Sequence, residues 1–125
     1  SRYESRNRNP ITIVMPSQID HHEILSGFIR LHVLHHAAEG ELYGKWMIEE
    51  LAHHGYNVSP GTLYPMLHSL EKKGYLSSRK ERDGRTFRRV YTATPLGRQA
   101  LEVGREKLRE LFREVAAGEA RERSD

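Results

Sequence analysis

Apolar side chains recur every three or four residues in the first half of the chain, with polar side chains between them. This spacing places the apolar side chains on one face of a helix. The first amphipathic stretch follows Asp20, stops near Gly40 and contains Ile24, Phe28, Leu31, Leu34 and Ala38. A shorter stretch begins near Tyr43, ends at His54–Tyr56 and contains Met47, Ile48, Leu51 and Ala52. The pattern therefore predicts two helices.

A third helix is predicted to start at Ser59 and Pro60. Serine can cap free backbone amides, and proline at the first helical position loses no hydrogen bond. The apolar stripe of this helix consists of Leu63, Leu67 and Leu70. Pro65 leaves two alternatives, because a proline beyond the first turn removes a backbone hydrogen bond. Either the regular helix begins nearer Thr62, or its first turn is distorted.

A hairpin and a final helix complete the pattern. Residues 75–81 and 86–93 flank Asp83 and Gly84, a pair that favours a tight hairpin turn. Thr94 is placed to cap the last helix. The apolar stripe of that helix consists of Leu101, Leu108, Leu111, Phe112 and Val115. The order of elements predicts a mainly α fold with a small β-hairpin, namely a winged helix-turn-helix plus a C-terminal dimerisation helix.

The chain divides into four predicted parts. Residues 1–18 form a polar arm that we expect to be flexible, and residues 19–93 form the winged helix-turn-helix domain. Residues 94–117 form the dimerisation helix, because a small domain cannot cover its long apolar stripe alone. Residues 118–125 are a polar tail.

Composition narrows the class of protein. A chain of 125 residues and 14.5 kDa holds one ordinary domain. The absence of cysteine excludes disulfides and thiolate zinc sites. With a mean hydropathy of -0.73 and no long apolar run, we expect a cytoplasmic protein without a membrane span. No nucleophile beside a base, carboxylate pair or phosphate-binding loop is recognisable, so we do not expect an enzyme.

Charge is concentrated in one segment. The net charge is only +3, but residues 72–98 hold nine Lys or Arg residues against Glu81 and Asp83. A local basic surface beside a recognition helix is what DNA binding requires. The predicted DNA-binding residues, from the third helix and the hairpin, are Ser59, Thr62, Tyr64, His68, Ser69, Lys72, Lys73, Arg79, Arg82, Arg85 and Arg88. Strand alternation puts Arg89 beside aromatic residues, so we rank it below Arg88.

Several fragments of the sequence also match a known family in order and spacing. They are Tyr43-Gly44, the run 59–65 (SPGTLYP), Leu70-Glu71, Gly74-Tyr75-Leu76, Arg88-Arg89-Val90-Tyr91 and Thr94-Pro95-Leu96-Gly97-Arg98. Over about residues 24–101 the chain resembles the PadR-like transcriptional regulators. It departs from them in having Val90 where a second tyrosine is frequent, and it has a single helix after the wing.

The resemblance implies a homodimer that binds a pseudo-palindromic operator, represses transcription and releases DNA when an effector binds. In the family arrangement the first helix lies near the dimer interface. The predicted interface residues are Phe28, Leu31, Leu101, Leu108, Leu111, Phe112 and Val115. Double-stranded operator DNA, a second copy of the chain and an unknown effector are the expected partners.

Histidines and the lone tryptophan are the candidates for an effector site. His32, His35 and His36 lie at helical spacing, and imidazole with carboxylate suits Zn, Ni, Cu or Cd. No cofactor is required, and a divalent metal ion is an expected effector only if these histidines are not merely structural. Trp46 either packs on the second helix or stacks on an effector. The remaining alternatives are a winged-helix protein-interaction module and a metal-binding sensor without autonomous operator recognition.

Overall fold

The structure is a computed structural model that describes residues 21–124, so the predicted arm and Asp20 lie outside it. This part of the chain forms four helices and one three-stranded antiparallel sheet. In chain order the elements are α1 (His21–Glu39), β1 (Leu42–Tyr43), α2 (Gly44–His53), α3 (Pro60–Lys72), β2 (Leu76–Asp83), β3 (Thr86–Ala93) and α4 (Pro95–Ser124). The predicted fold class, mainly α with a small β-hairpin wing, is confirmed.

The third helix is regular from its first residue. The amides of Thr62 and Leu63 both donate to the Ser59 carbonyl, at 3.0 and 2.9 Å. The helix therefore begins at Pro60 and not nearer Thr62. Pro65 does not interrupt it, because the carbonyl that the proline leaves free belongs to Gly61, which is exposed to water. The Ser59 side chain makes no cap to an amide and donates instead to Thr62 Oγ1 at 3.3 Å.

The sheet contains one strand that the hydrophobic pattern did not indicate. β1 pairs with β3, placing Leu42 opposite Tyr91, and β2 pairs with β3 along its whole length. The hairpin turn lies one residue later than predicted. Its two central residues are Gly84 and Arg85, because Asp83 still pairs with Thr86. Gly84 adopts a φ of +65°, which suits the first central position of a tight hairpin turn.

One apolar core joins all the helices to the sheet. Its fully buried side chains include Val33, Leu42, Met47, Leu51, Leu63, Leu67, Leu76 and Tyr91. Burial raises the pKa of the Tyr91 phenol. Leu101 also belongs to this core and is only 4% exposed. It was predicted to face a partner chain, but the body of its own chain already covers it.

The start of α4 is fixed by a hydrogen-bonded cap. The Thr94 hydroxyl donates to the Gly74 carbonyl at 2.5 Å and accepts from the Gly97 amide at 3.0 Å. The Thr94 amide donates to the Tyr75 carbonyl at 3.1 Å. The predicted cap at Thr94 is thus confirmed, and it holds the first turn of α4 directly against the chain that leaves α3.

The rest of α4 extends away from the core. The helix continues to Ser124, beyond the predicted end at residue 117, and 30 residues give it a length of about 45 Å. Ion pairs between neighbouring turns support it, including Arg105 with Glu102 and Arg123 with Glu119. Within residues 21–124, no helix is both long and apolar enough to span a membrane.

Replacing Gly97 with alanine should destabilise the fold. A Cβ at this position would fall well inside the contact distance of the Tyr75 carbonyl oxygen, which is backbone and cannot move aside. We expect Gly97→Ala to lower the free energy of unfolding by about 2 kcal/mol or more. Gly27→Ala is the matched control, because nothing lies within 4 Å of the new Cβ in α1; it should stabilise by up to about 1 kcal/mol. Urea unfolding at one protein concentration, followed by circular dichroism, measures both. Equal effects of the two substitutions would contradict this account of the α4 start.

Candidate nucleic-acid interface

The packing of α3 determines which side chains it presents to solvent. Its buried side consists of Leu63, Met66, Leu67 and Leu70. Pro65, His68 and Lys72 lie on the opposite side and are exposed. Lys73 follows at the end of the helix and is exposed as well. The outward face of α3 is therefore polar and basic, as expected for a helix that enters a DNA groove.

Two predicted residues lie on one flank of this face. Thr62 and Ser69 are half-buried and line a cavity of about 300 Å³ together with Arg30 of α1. Arg30 donates a hydrogen bond to the Ser26 carbonyl at 3.3 Å. Arg30 therefore lies beside the recognition helix. The sequence pattern did not single out this arginine, since Arg30 belongs to a different helix.

The other flank of α3 faces the wing. Tyr64 is 40% exposed and lies over Gly44, where an added Cβ would come within 2.5 Å of its ring. A cavity of about 350 Å³ separates α3 from the wing, and its walls include Lys45, Tyr64, His68, Phe87, Arg88 and Arg89. Lys45 lies in the first turn of α2, so both helices of the helix-turn-helix contribute cations or polar groups to the same concave surface.

Register and alternation divide the wing into two faces. Ser78, Lys80 and Arg89 share a face with Tyr91, whose buried ring points towards α3 and the core. Ser78 donates to Glu71 of α3 at 2.6 Å and accepts from Arg89 at 3.2 Å. These bonds attach the wing to α3 and hold the Arg89 guanidinium beside the recognition helix.

Arginines on the opposite, outer face are occupied by carboxylates. Arg79 bonds Glu41 at 2.5 Å, which raises the pKa of Arg79. Arg88 lies 3.9 Å from Glu81 and 4.0 Å from the centre of the Tyr43 ring. Tyr43 donates to Glu81 at 2.8 Å, and this bond raises the pKa of the Tyr43 phenol. Arg88 lies beside Glu81 on the outer face and Arg89 beside Ser78 on the inner face, and both line the cavity between α3 and the wing, so the order ranked from sequence stays a prediction.

The tip of the wing and the end of α3 carry the cations that remain available. Arg85 lies in the turn, and Arg82 bonds the Gly84 carbonyl at 3.2 Å with Phe87 nearby. Within residues 21–124, the ion pairs include none of Lys72, Lys73, Lys80 and Arg85. Free cations at these positions can neutralise phosphates.

The histidines form a separate cluster between α1 and α2. His35 and His36 approach Glu39, whereas His32 stacks on His54 with ring centres 5.1 Å apart. His32 therefore lies outside the group that it was predicted to join. Burial, followed by the neighbouring imidazoles, lowers the pKa of His32, and burial likewise lowers the pKa of His36. Trp46 is 43% exposed and meets His36 edge-on at 5.1 Å.

A helix-turn-helix with a polar outward helix and a cationic wing defines a winged-helix DNA-binding regulator. Residues 33–103 match the family described as transcriptional regulator PadR-like. This match spans more than half of the chain. The chain therefore belongs to the PadR-like family of transcriptional regulators.

Individual relatives agree with this assignment. The transcriptional regulator Rv3488 of Mycobacterium tuberculosis is 57% identical over 93 residues, covering 74% of this chain and 86% of that protein. A PadR family regulator from Eggerthella lenta superposes with a TM-score of 0.68 at 30% identity, over 75% of this chain and 83% of its own. A transcriptional regulator from Clostridium thermocellum has a TM-score of 0.66 at 26% identity, over 74% of this chain and 93% of its own.

Arg88 and Arg89 form a matched pair for testing the two faces of the wing. Arg89→Ala should weaken DNA binding and reduce the slope of log affinity against log salt by about one. Arg88→Ala should reduce that slope less, because the Arg88 guanidinium lies 3.9 Å from Glu81 and over the Tyr43 ring. Fluorescence anisotropy over a series of salt concentrations measures both slopes. A larger slope change for Arg88→Ala would contradict the assignment of the faces.

Proposed function

We propose that the chain is a homodimeric repressor that binds a pseudo-palindromic operator and releases it when an effector binds. The observation that carries the proposal is the polar outward face of α3 next to unpaired cations of the wing. No cofactor is needed for this activity. Because the operator is chromosomal DNA, the proposal retains the predicted cytoplasmic location.

Base recognition is assigned to α3. His68 lies at the centre of the outward face, with Tyr64 on the wing flank and Thr62 and Ser69 on the other. Such short polar or aromatic side chains can reach base edges in a major groove. Phosphate contacts are assigned to the cations around them, which are Lys45, Lys72, Lys73, Arg82, Arg85 and Arg89.

Dimerisation is assigned to α4. Leu108, Leu111, Phe112 and Val115 remain exposed, and Phe112 is 72% exposed. They continue the line of Leu101 along one side of the helix, next to a groove of about 240 Å³ lined by Phe28 and Leu31. A second copy of α4 is the occupant that matches this surface, because the same apolar stripe would then be buried from both sides.

Direct binding to DNA tests the proposal. The full chain is titrated onto labelled DNA from immediately upstream of its own coding sequence, and onto DNA sequences selected by the chain from a random pool. Tight, salt-sensitive binding that resists random competitor DNA is expected. Affinity no greater than for random DNA in both cases would contradict operator recognition and favour a protein-interaction module.

His68 and Arg85 should have different roles in operator binding. His68→Ala should change which bases the chain selects, because His68 faces the groove from α3. Arg85→Ala should weaken binding to all sequences alike, because the proposal assigns the wing tip to phosphate contacts. Site selection from a random pool with each variant distinguishes the two. Identical selected sequences for wild type and His68→Ala would contradict the assignment.

A charge placed in the stripe of α4 should separate the dimer. Phe112→Glu would put a carboxylate in the proposed interface, so we expect a monomer by light scattering. Val103→Glu is the matched control, since Val103 is 62% exposed on the opposite side of the same helix. It should leave the oligomeric state unchanged. A dimer that survives Phe112→Glu at micromolar concentration would refute this interface.

A further inference from the structure

The last turn of α1 brings two imidazoles and a carboxylate together. His35, His36 and Glu39 each offer one ligand atom, and these three atoms lie within 4.8 Å of one another. The Nε2 atom of His35 is 3.1 Å from Glu39, and that of His36 is 4.0 Å from Glu50 of α2. The same oxygen of Glu50 lies 3.0 Å from Nε2 of His54, so this carboxylate is shared between the two helices.

The helix end at this place favours a cation, whereas the Arg105 guanidinium beside His35 opposes one. Glu39 is the last residue of α1, and the C-terminal end of a helix carries a partial negative charge. Two nitrogen ligands and one carboxylate suit borderline transition ions such as Zn²⁺. All three side chains are at least partly accessible, so water can complete the coordination. Three protein ligands with open positions describe an exchangeable site and not a closed structural one.

One hydrogen bond links this group to α4. Arg105 of α4 lies 3.3 Å from Nδ1 of His35 and can only donate, so Nδ1 accepts and Nε2 carries the proton towards Glu39. A metal ion on Nδ1 would displace Arg105 directly. A metal ion on Nε2 would leave the ring proton on Nδ1, which then cannot accept from Arg105. Coordination by either nitrogen breaks the bond between α1 and α4.

We propose that His35, His36 and Glu39 form a reversible site for a divalent transition metal ion, and that its occupation releases Arg105 of α4 from α1. Through Arg105, the bound metal ion would act on the helix that carries the proposed dimer interface. Through His36 and Glu50, the metal site also adjoins α2 of the helix-turn-helix. This regulatory role rests on the proposed repressor function. Metal binding and the loss of the Arg105 bond do not depend on it.

Zinc binding is measured on the full chain without an affinity tag. The lone Trp46 reports on the site, because its ring lies 5.1 Å from that of His36. Titration with zinc chloride should change its fluorescence, and calorimetry should give the affinity. His35→Ala and Glu39→Gln should each weaken binding at this site by about tenfold or more. His53→Ala, an exposed histidine of α2 outside the cluster, should leave the affinity unchanged.

The Arg105 variant tests the coupling without any DNA. Because zinc must break the hydrogen bond from Arg105, Arg105→Ala should bind zinc more tightly, by about threefold or more. Arg109→Ala removes a cation from the same helix that pairs with Glu106, and it should not change the affinity. If both variants tighten binding equally, the effect is one of charge alone and the coupling is refuted.

Two results would overturn the site itself. They are a fluorescence response that survives both His35→Ala and Glu39→Gln, and the absence of any response to zinc in the wild type.

Operator affinity is then compared with and without zinc. Zinc should change the affinity of the wild type and not of Arg105→Ala, and an equal change in both would refute the regulatory role. A chain that binds zinc as described but no operator would refute the proposed repressor and leave the metal site standing.

Discussion

Burial of one side of α3 is the constraint on which the interface depends. Leu63, Met66, Leu67 and Leu70 can enter the core in only one orientation of the helix, and this orientation turns His68 and Lys72 outward. The bond from Ser78 to Glu71 then fixes the wing against the same helix. Apolar packing thus determines which polar groups α3 presents to solvent.

Much of this arrangement was predictable from periodicity. The helices were located by apolar residues at helical spacing, and the cap at Thr94 was correctly identified. The short strand β1 was not found, because two residues are too few to show alternation. Alternation correctly placed Arg89 on the face of the aromatic residues and Arg88 on the opposite face, but it could not show which groups lie beside each guanidinium. Glu81 lies opposite Arg88 in the same hairpin, whereas the pairing with β1 and the contact of Glu41 with Arg79 join residues that are remote in sequence.

The first helix, α1, contacts both α4, to which dimerisation is assigned, and α2 of the helix-turn-helix. Leu31 packs against Gly104, so closely that a side chain at that glycine would collide with it, and this contact joins α1 to α4. Near the end of α1, His36 lies against Trp46 of α2. In the proposed dimer, a change in how α1 meets α4 would change the distance between the two copies of α3. An operator with two half-sites at fixed spacing is sensitive to that distance.

The central claim is that two copies of α3 read one operator. Hydroxyl-radical footprinting of the full chain on a selected binding sequence tests it most directly. The account predicts two protected half-sites related by a two-fold axis, with centres about one helical turn of DNA apart or a multiple of that spacing. A single protected half-site at saturating protein would contradict the dimeric regulator described above.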